Sequence, residues 1–276
     1  MKFLLIVFLS FFAAAVYAKK IELIIPVKTS GTQYILSQEL VPLLEEKGYT
    51  VDLKISGNCI KAGSDFNETK KPAAMLIFNA YSSLPECENS IPDDKTWVSN
   101  LTKSQIMICG KVGQDNLGII KRKEKATIGS VNVYPSKIVL SLNPNLKYVP
   151  YTSSGSLAQG FISGDTDLLI TNSLRASKLV KNNQAECFIA TGNKDHLGAT
   201  AATKLFPDWQ YNSIFQLFSM MHKNMDDQDS AKFKKDIKEI LTSDKWQEFT
   251  KKNGYDIDIN ITSEFYNRSS KLWSRE

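Results

Sequence analysis

Histidine, closely spaced cysteine and long apolar runs are all scarce in this chain. Its 276 residues hold two histidines, His196 and His222, and four cysteines, none of them spaced as Cys-x-x-Cys. Zinc sites are built from those residue types at short spacing, so no metal centre is expected. The recurrent enzyme signatures are missing too: there is no Gly-x-Ser-x-Gly elbow, no Walker loop and no Gly-x-Gly-x-x-Gly turn. The carboxylate pairs Asp93-Asp94 and Asp226-Asp227 read as solvated loop and helix-start positions. Nothing beside Lys28 in sequence would activate its amine. No catalytic residue and no cofactor is therefore assigned.

Strong charge of one sign is also lacking. The formal net charge is +5, spread along the chain, and the densest basic cluster, Lys121-Arg122-Lys123, is followed by Glu124. A nucleic-acid binder carries a basic stripe with aromatics interleaved, so no nucleic-acid partner is expected. A mild positive balance still suits an anionic small molecule.

One apolar run stands out, at residues 3–16, behind Lys2 and interrupted by Ser10. It falls short of the ~20 residues that span a bilayer, and Lys19-Lys20 follows at once. Val16-Tyr17-Ala18 supplies small residues at −3 and −1, so residues 1–18 read as a secretory signal peptide cleaved after Ala18. The expected location is the periplasm. No cysteine at the cleavage point provides a lipid anchor.

From Lys19 onward, short apolar strands alternate with amphipathic helices. Residues 21–25 form a β-rich run ended by Pro26. Ile35, Leu36, Leu40, Leu43 and Leu44 then line one helical face up to Gly48, and residues 49–55 read as the next strand. This β-α-β order with short connections predicts a parallel sheet. Further strands are expected at 73–78, 105–110, 117–120, 126–129, 147–151, 167–171 and 187–191. From Asp229 the pattern is helical, with a stripe of Phe233, Ile237, Ile240 and Leu241, then Trp246 and Phe249 before Gly254. In a last helix at 263–274, Phe265, Leu272 and Trp273 are expected to pack into the core.

With no low-complexity linker, the predicted fold class is α/β and periplasmic-binding-protein-like: two α/β lobes with a ligand cleft between them. The expected boundaries are 19–104 for the first part of lobe 1, 105–215 for lobe 2, and 216–276 for the return to lobe 1 with C-terminal helices. Export permits disulfides. Four cysteines allow three connectivities; Cys59–Cys87 in the first lobe and Cys109–Cys187 in the second is the preferred one.

One arrangement recurs: a strand, a turn rich in Ser, Thr and Gly, then a helix start. It occurs at 26–33, 129–136 and 151–157. Free N–H groups at a helix start carry partial positive charge, and small hydroxyl side chains let an anion approach them. The alternative is ordinary helix capping. The ligand-binding candidates are Lys28, Thr29, Ser30, Gly31 and Thr32 from the first turn, and Ser130, Asn132, Tyr134 and Ser136 from the second. Ser154, Gly155 and Ser156 come from the third, with Thr171 and Asn172 as secondary candidates at a strand end. Dipoles, rather than a buried arginine, are expected to hold the anion.

These turns, together with Val149-Pro150-Tyr151-Thr152-Ser153-Ser154-Gly155-Ser156, Gly164-Asp165-Thr166-Asp167-Leu168 and the tail Lys252-Asn253-Gly254-Tyr255, resemble the substrate-binding receptors of the tripartite tricarboxylate transporter family, also called Bug proteins. The resemblance covers essentially the whole chain after Ala18. It implies a carboxylate held by backbone N–H groups, hydroxyls and waters, and delivery to a permease of a large and a small membrane subunit. Asn132 and Tyr134 stand where the family usually has glycines, and Tyr34 where an aspartate is common. These departures bear on the substrate more than on the fold. A monomer is the default state. The rival readings are a receptor of an ABC or TAXI-type importer, a sensing subunit, and an exported enzyme on the same fold.

Overall fold

A computed structural model describes residues 18–29, 31–81, 87, 91–131 and 136–273, with the backbone alone at residues 136 and 139. The expected signal segment, through residue 17, lies outside the described residues, as do Ser30, Asn132 and Tyr134.

The chain opens with β1 (Lys19–Ile25), α1 (Thr32–Glu46), β2 (Tyr49–Ile55), α2 (Cys59–Glu68) and β3 (Ala73–Phe78). β1 lies between β2 and β3 and is parallel to both, as the β-α-β pattern predicts. The long β4 (Trp97–Gly110) follows, then α3 (Asn116–Lys121), β5 (Ala126–Val131), α4 (Ser136–Leu140), β6 (Leu146–Tyr151) and α5 (Ser154–Ser163). Next come β7 (Leu168–Asn172), α6 (Ser173–Lys181), β8 (Glu186–Ala190), β9 (Thr200–Ala201) and α7 (Ala202–Leu205). β10 (Phe215–Lys223) leads into α8 (Asp227–Thr242), α9 (Asp244–Lys252), α10 (Ser263–Ser270) and a 3-10 turn, Lys271–Trp273.

The strand order is β2-β1-β3-β10-β4-β7-β5-β6, with β8 also paired to β4 and β9 to β8. β4 joins two sheets. Between Trp97 and Gln105 it pairs antiparallel with β10, and from Ile106 to Gly110 with β7 and β8. Fourteen residues of strand can bridge two sheets because their side chains are buried almost throughout.

The periodic apolar faces bury as their spacing requires. Leu36, Leu40 and Leu44 of α1, and Phe233, Ile237, Ile240 and Leu241 of α8, enter one core with Trp246. Fully burying such side chains contributes about 1.5–3 kcal/mol each. A second core, around Leu157, Phe161, Leu169 and Ala176, packs α5 and α6 on the other sheet. Disulfides join Cys59 to Cys87 and Cys109 to Cys187, the latter across β4 and β8.

Three local expectations are corrected. Leu117 to Ile120 lie in α3, not in a strand: the Asp115 side chain accepts from Gly118 N–H at 3.0 Å and starts a helical turn. Residues 215–223, given no element from sequence, form β10 between β3 and β4. In the last helix Trp273 is fully buried, but Phe265 and Leu272 are exposed at 38% and 46%. Phe265 sits under the Arg268 guanidinium instead.

Candidate functional site

Parallel strands gather their C-terminal ends along one edge, and the chain leaves that edge in turns leading to helices. On the first sheet Ile25 and Ile55 are register partners at the ends of β1 and β2. On the second, Ser130 pairs with Pro150 and with Ile170, so β5, β6 and β7 end side by side. The two edges meet at one hydrogen bond: the Asn172 amide, ending β7, donates to Thr32 Oγ1, opening α1, at 2.9 Å in a buried setting.

Thr32 and Asn172 are thus brought together, 7% and 5% exposed. The Asn172 side-chain Oδ1 also accepts from the Arg175 backbone N–H at 3.0 Å, capping α6. Ser173 fixes the same turn onto β4: its N–H donates to Ser104 Oγ and its hydroxyl to the Gln105 carbonyl, each at 3.2 Å. Gly31 is required here by close approach, because a Cβ at that position would meet Val27 Cβ and Cγ2 at 2.6 Å. The turn is closed by Gly31 N–H donating to the Lys28 carbonyl at 2.8 Å.

The other candidates divide. Lys28 and Thr29 are exposed on the first turn. Ser130 is fully buried, with its hydroxyl on the Val131 carbonyl at 3.3 Å. Thr171 is buried with an Oγ1 that has no hydrogen-bond partner. Ser154, Gly155 and Ser156 open α5, where Ser153 and Ser156 cap one another reciprocally. The Ser156 hydroxyl is therefore engaged in capping, which leaves the first backbone N–H groups of the turn as its uncommitted donors. Ser136 starts α4, and its side chain is outside the described set.

Helix starts differ in a way no single motif revealed. α2, α3, α5, α6, α8, α9 and α10 each begin on a side chain that accepts from the first turn. α1 begins on Gly31, and the four-residue α7 on Ala201, with no side-chain cap; of the two only α1 is long enough to carry a sizeable dipole. Its first turn carries Gln33, 2% exposed, whose Nε2 faces Tyr81 but has no acceptor at good hydrogen-bond geometry among the described residues. Buried against Thr32 is Tyr255, 5% exposed, whose hydroxyl faces the Thr32 hydroxyl but has no partner at good hydrogen-bond geometry among the described residues. Burial pushes the Tyr255 phenol well up, and Tyr81, next to Gln33, up to about 12. Both stay protonated donors. Half-buried Arg175 lies near Tyr255, and burial lowers its affinity for a proton. Sequence reasoning missed Gln33, Tyr81, Arg175 and Tyr255. Gln33 closes the first recognised turn and Tyr255 sat in the tail motif, but the spacing of Tyr81 and Arg175 carries no signal.

The cluster is rich in donors, and none of its side chains is a carboxylate. Such a set favours an acceptor-rich, anionic guest. No group of three or more metal-ligating side chains is found among the described residues. No helix among them is long and apolar enough to cross a membrane. A separate open groove of about 340 Å³ between α1 and α9, lined by Glu39, Leu43, Lys245 and Phe249 among others, shares no residue with this cluster.

No protein-family model matches the sequence, and no curated protein matches it either. Solved structures do. The periplasmic binding protein BugD superposes with a TM-score of 0.74 at 13% identity, covering 92% of this chain and 94% of its own. MatC from Rhodopseudomonas palustris, with bound malate, gives 0.74 at 10% identity over 92% and 97%. A second R. palustris protein, solved with adipate, gives 0.76 at 13% over 92% and 93%. The fold is therefore the α/β fold of Bug-type periplasmic binding proteins, as the sequence resemblance implies.

Proposed function

We propose that this chain is an extracytoplasmic solute-binding receptor that captures a small carboxylate-bearing molecule and catalyses nothing. The observation that carries the reading is the meeting of two strand-end edges at Thr32 and Asn172, beside buried donors with no partner at good hydrogen-bond geometry among the described residues. It is supported by the fold, which this chain shares with proteins solved with malate and with adipate. Two disulfides fit an exported protein, as does a signal peptide ending at Ala18.

In this reading residues 19–104 and 216–276 form one lobe and 105–215 the other, and β4 is the hinge strand. The ligand bridges Thr29, Ser30, Gly31 and Thr32 to Ser130, Asn132, Tyr134, Ser136, the 154–156 turn, Thr171 and Asn172, with Lys28 at the mouth. Closure is favoured only by contacts that the open form cannot make. The receptor acts as a monomer that hands its ligand to the two membrane subunits of a tripartite tricarboxylate-type permease.

A thermal-shift screen of residues 19–276 against mono-, di- and tricarboxylates, phosphate and neutral controls tests the reading. A hundredfold excess over Kd adds about 2.7 kcal/mol, which at this size raises Tm by roughly 5–10 °C. A selective rise with one carboxylate class is expected. A flat response to every acid would sink the carboxylate assignment.

A further inference from the structure

Arg175 inverts the usual placement of arginine. The exposed Arg122 pairs with Asp115 at 2.8 Å and Glu124 at 2.6 Å, and the exposed Arg268 with Glu264 at 3.9 Å. Arg175 is half-buried, yet among the described residues its guanidinium has neither a carboxylate partner nor a side-chain hydrogen bond. A half-buried guanidinium presents five donors in a fixed fork and is costly to leave unpaired.

Its surroundings supply no counter-charge of their own. Its N–H is bonded to Asn172, which reaches Thr32. Its side chain lies in the field of Tyr255, and Tyr255 borders Thr32. Beyond Thr32 lie the uncapped start of α1 and two buried donors with no partner at good hydrogen-bond geometry among the described residues, Tyr255 Oη, which faces Thr32, and Gln33 Nε2, on the first turn of α1. Backbone dipole, guanidinium and phenol all call for the same thing, a planar anion that accepts several hydrogen bonds at once.

We infer that Arg175 is the charged anchor of the cleft, pairing with one carboxylate of the ligand while the α1 N-terminus and the Tyr255 hydroxyl bond the same group. This deepens the receptor reading and rests on it. The selected ligand carries at least one ionised carboxylate, and its neutral amide is rejected. Lys28, exposed on the first turn, is placed to meet a second carboxylate at the mouth, so a dicarboxylate is favoured over a monocarboxylate.

Isothermal titration of the wild type, R175M, R175K and Y255F with malate, adipate, and the monoamide and diamide of adipate tests the anchor. The wild type is expected to bind at least one of the diacids and to lose it as the diamide. R175M should weaken that diacid roughly 10- to 100-fold, the worth of a charge-assisted pair. R175K should recover part of the loss, and Y255F should cost a few-fold. Because Arg175 has no side-chain partner among the described residues, R175M should leave the ligand-free Tm unchanged or raised. A lowered ligand-free Tm with unchanged affinity in R175K would mark a structural arginine and overturn the anchor. Equal affinity in R175M and wild type would overturn it while leaving the receptor reading intact. A wild type that binds neither diacid would overturn the dicarboxylate anchor, and only a flat response across the wider acid screen would remove the carboxylate reading as well.

Discussion

At the scale of single residues, the two histidines set how the protein responds to acid. His222 is 6% exposed on β10, with Nε2 2.8 Å from the Ser230 hydroxyl. His196 packs against Gly254, where a Cβ would meet its Nε2 at 2.6 Å. Burial depresses the affinity of both rings for protons; Lys234 adds to this at His222, while Asp256 opposes it at His196. The unfolded chain, with histidines near pKa 6.5, thus binds more protons than the folded one as pH falls below that value. Stability is full above about pH 7 and declines as pH drops through 6.5 towards the folded values. Tm measured from pH 7.5 to 5 should fall, and a chain carrying both H196Q and H222Q should show a flatter profile; an identical slope in that variant would refute the assignment. Other residues show what sequence reveals at this scale. Thr32 and Asn172 were readable because turn chemistry marks hydroxyls and amides at strand ends. Arg175 was not, since its importance comes from lacking a partner, and partners are a tertiary fact.

At the scale of elements, Asn172 serves two helices at once. Its Oδ1 caps α6 and its Nδ2 bonds the first residue of α1. N172A removes both and should destabilise by about 2–4 kcal/mol in urea unfolding, a cap of about 1 kcal/mol plus about 1–3 kcal/mol for a buried hydroxyl left unpaired. N172D keeps the cap acceptor but loses the donor to Thr32, so its loss relative to wild type isolates the bond between the two sheet edges, and the further loss in N172A isolates the cap. If N172D is as stable as wild type, that bond contributes nothing. The elements themselves were unevenly legible. α1 and α8 announced themselves through Leu36, Leu40 and Leu44, and through Phe233, Ile237 and Ile240, because a helical face buried on one side repeats every three to four residues. β10 did not. Leu217, Phe218, Met220 and Met221 are all buried, so the strand is covered on both faces and shows no alternation. Leu117, Ile119 and Ile120 made the opposite error, since a short apolar run reads alike as strand or helix until its cap is recognised.

At the scale of the whole molecule, two covalent staples close loops of different length. Cys59 and Cys87 are 28 residues apart, Cys109 and Cys187 78 residues apart. The chain-entropy model assigns them about 3.6 and 4.5 kcal/mol respectively. Replacing Cys109 and Cys187 together by alanine should lower the urea midpoint more than replacing Cys59 and Cys87. The reverse order would show that native contacts, not loop length, govern the effect.

The position of β10 carries a consequence in time. The second sheet draws on a nearly contiguous stretch, from Ile106 to Ala201. The first cannot be completed until Phe215–Lys223 inserts between β3 and β4. A chain emerging from its N-terminus therefore holds β1, β2 and β3 with an unpaired edge while more than a hundred residues are still to come. The delay leaves that edge open to other chains, and makes the last quarter of the chain the step that completes the first sheet.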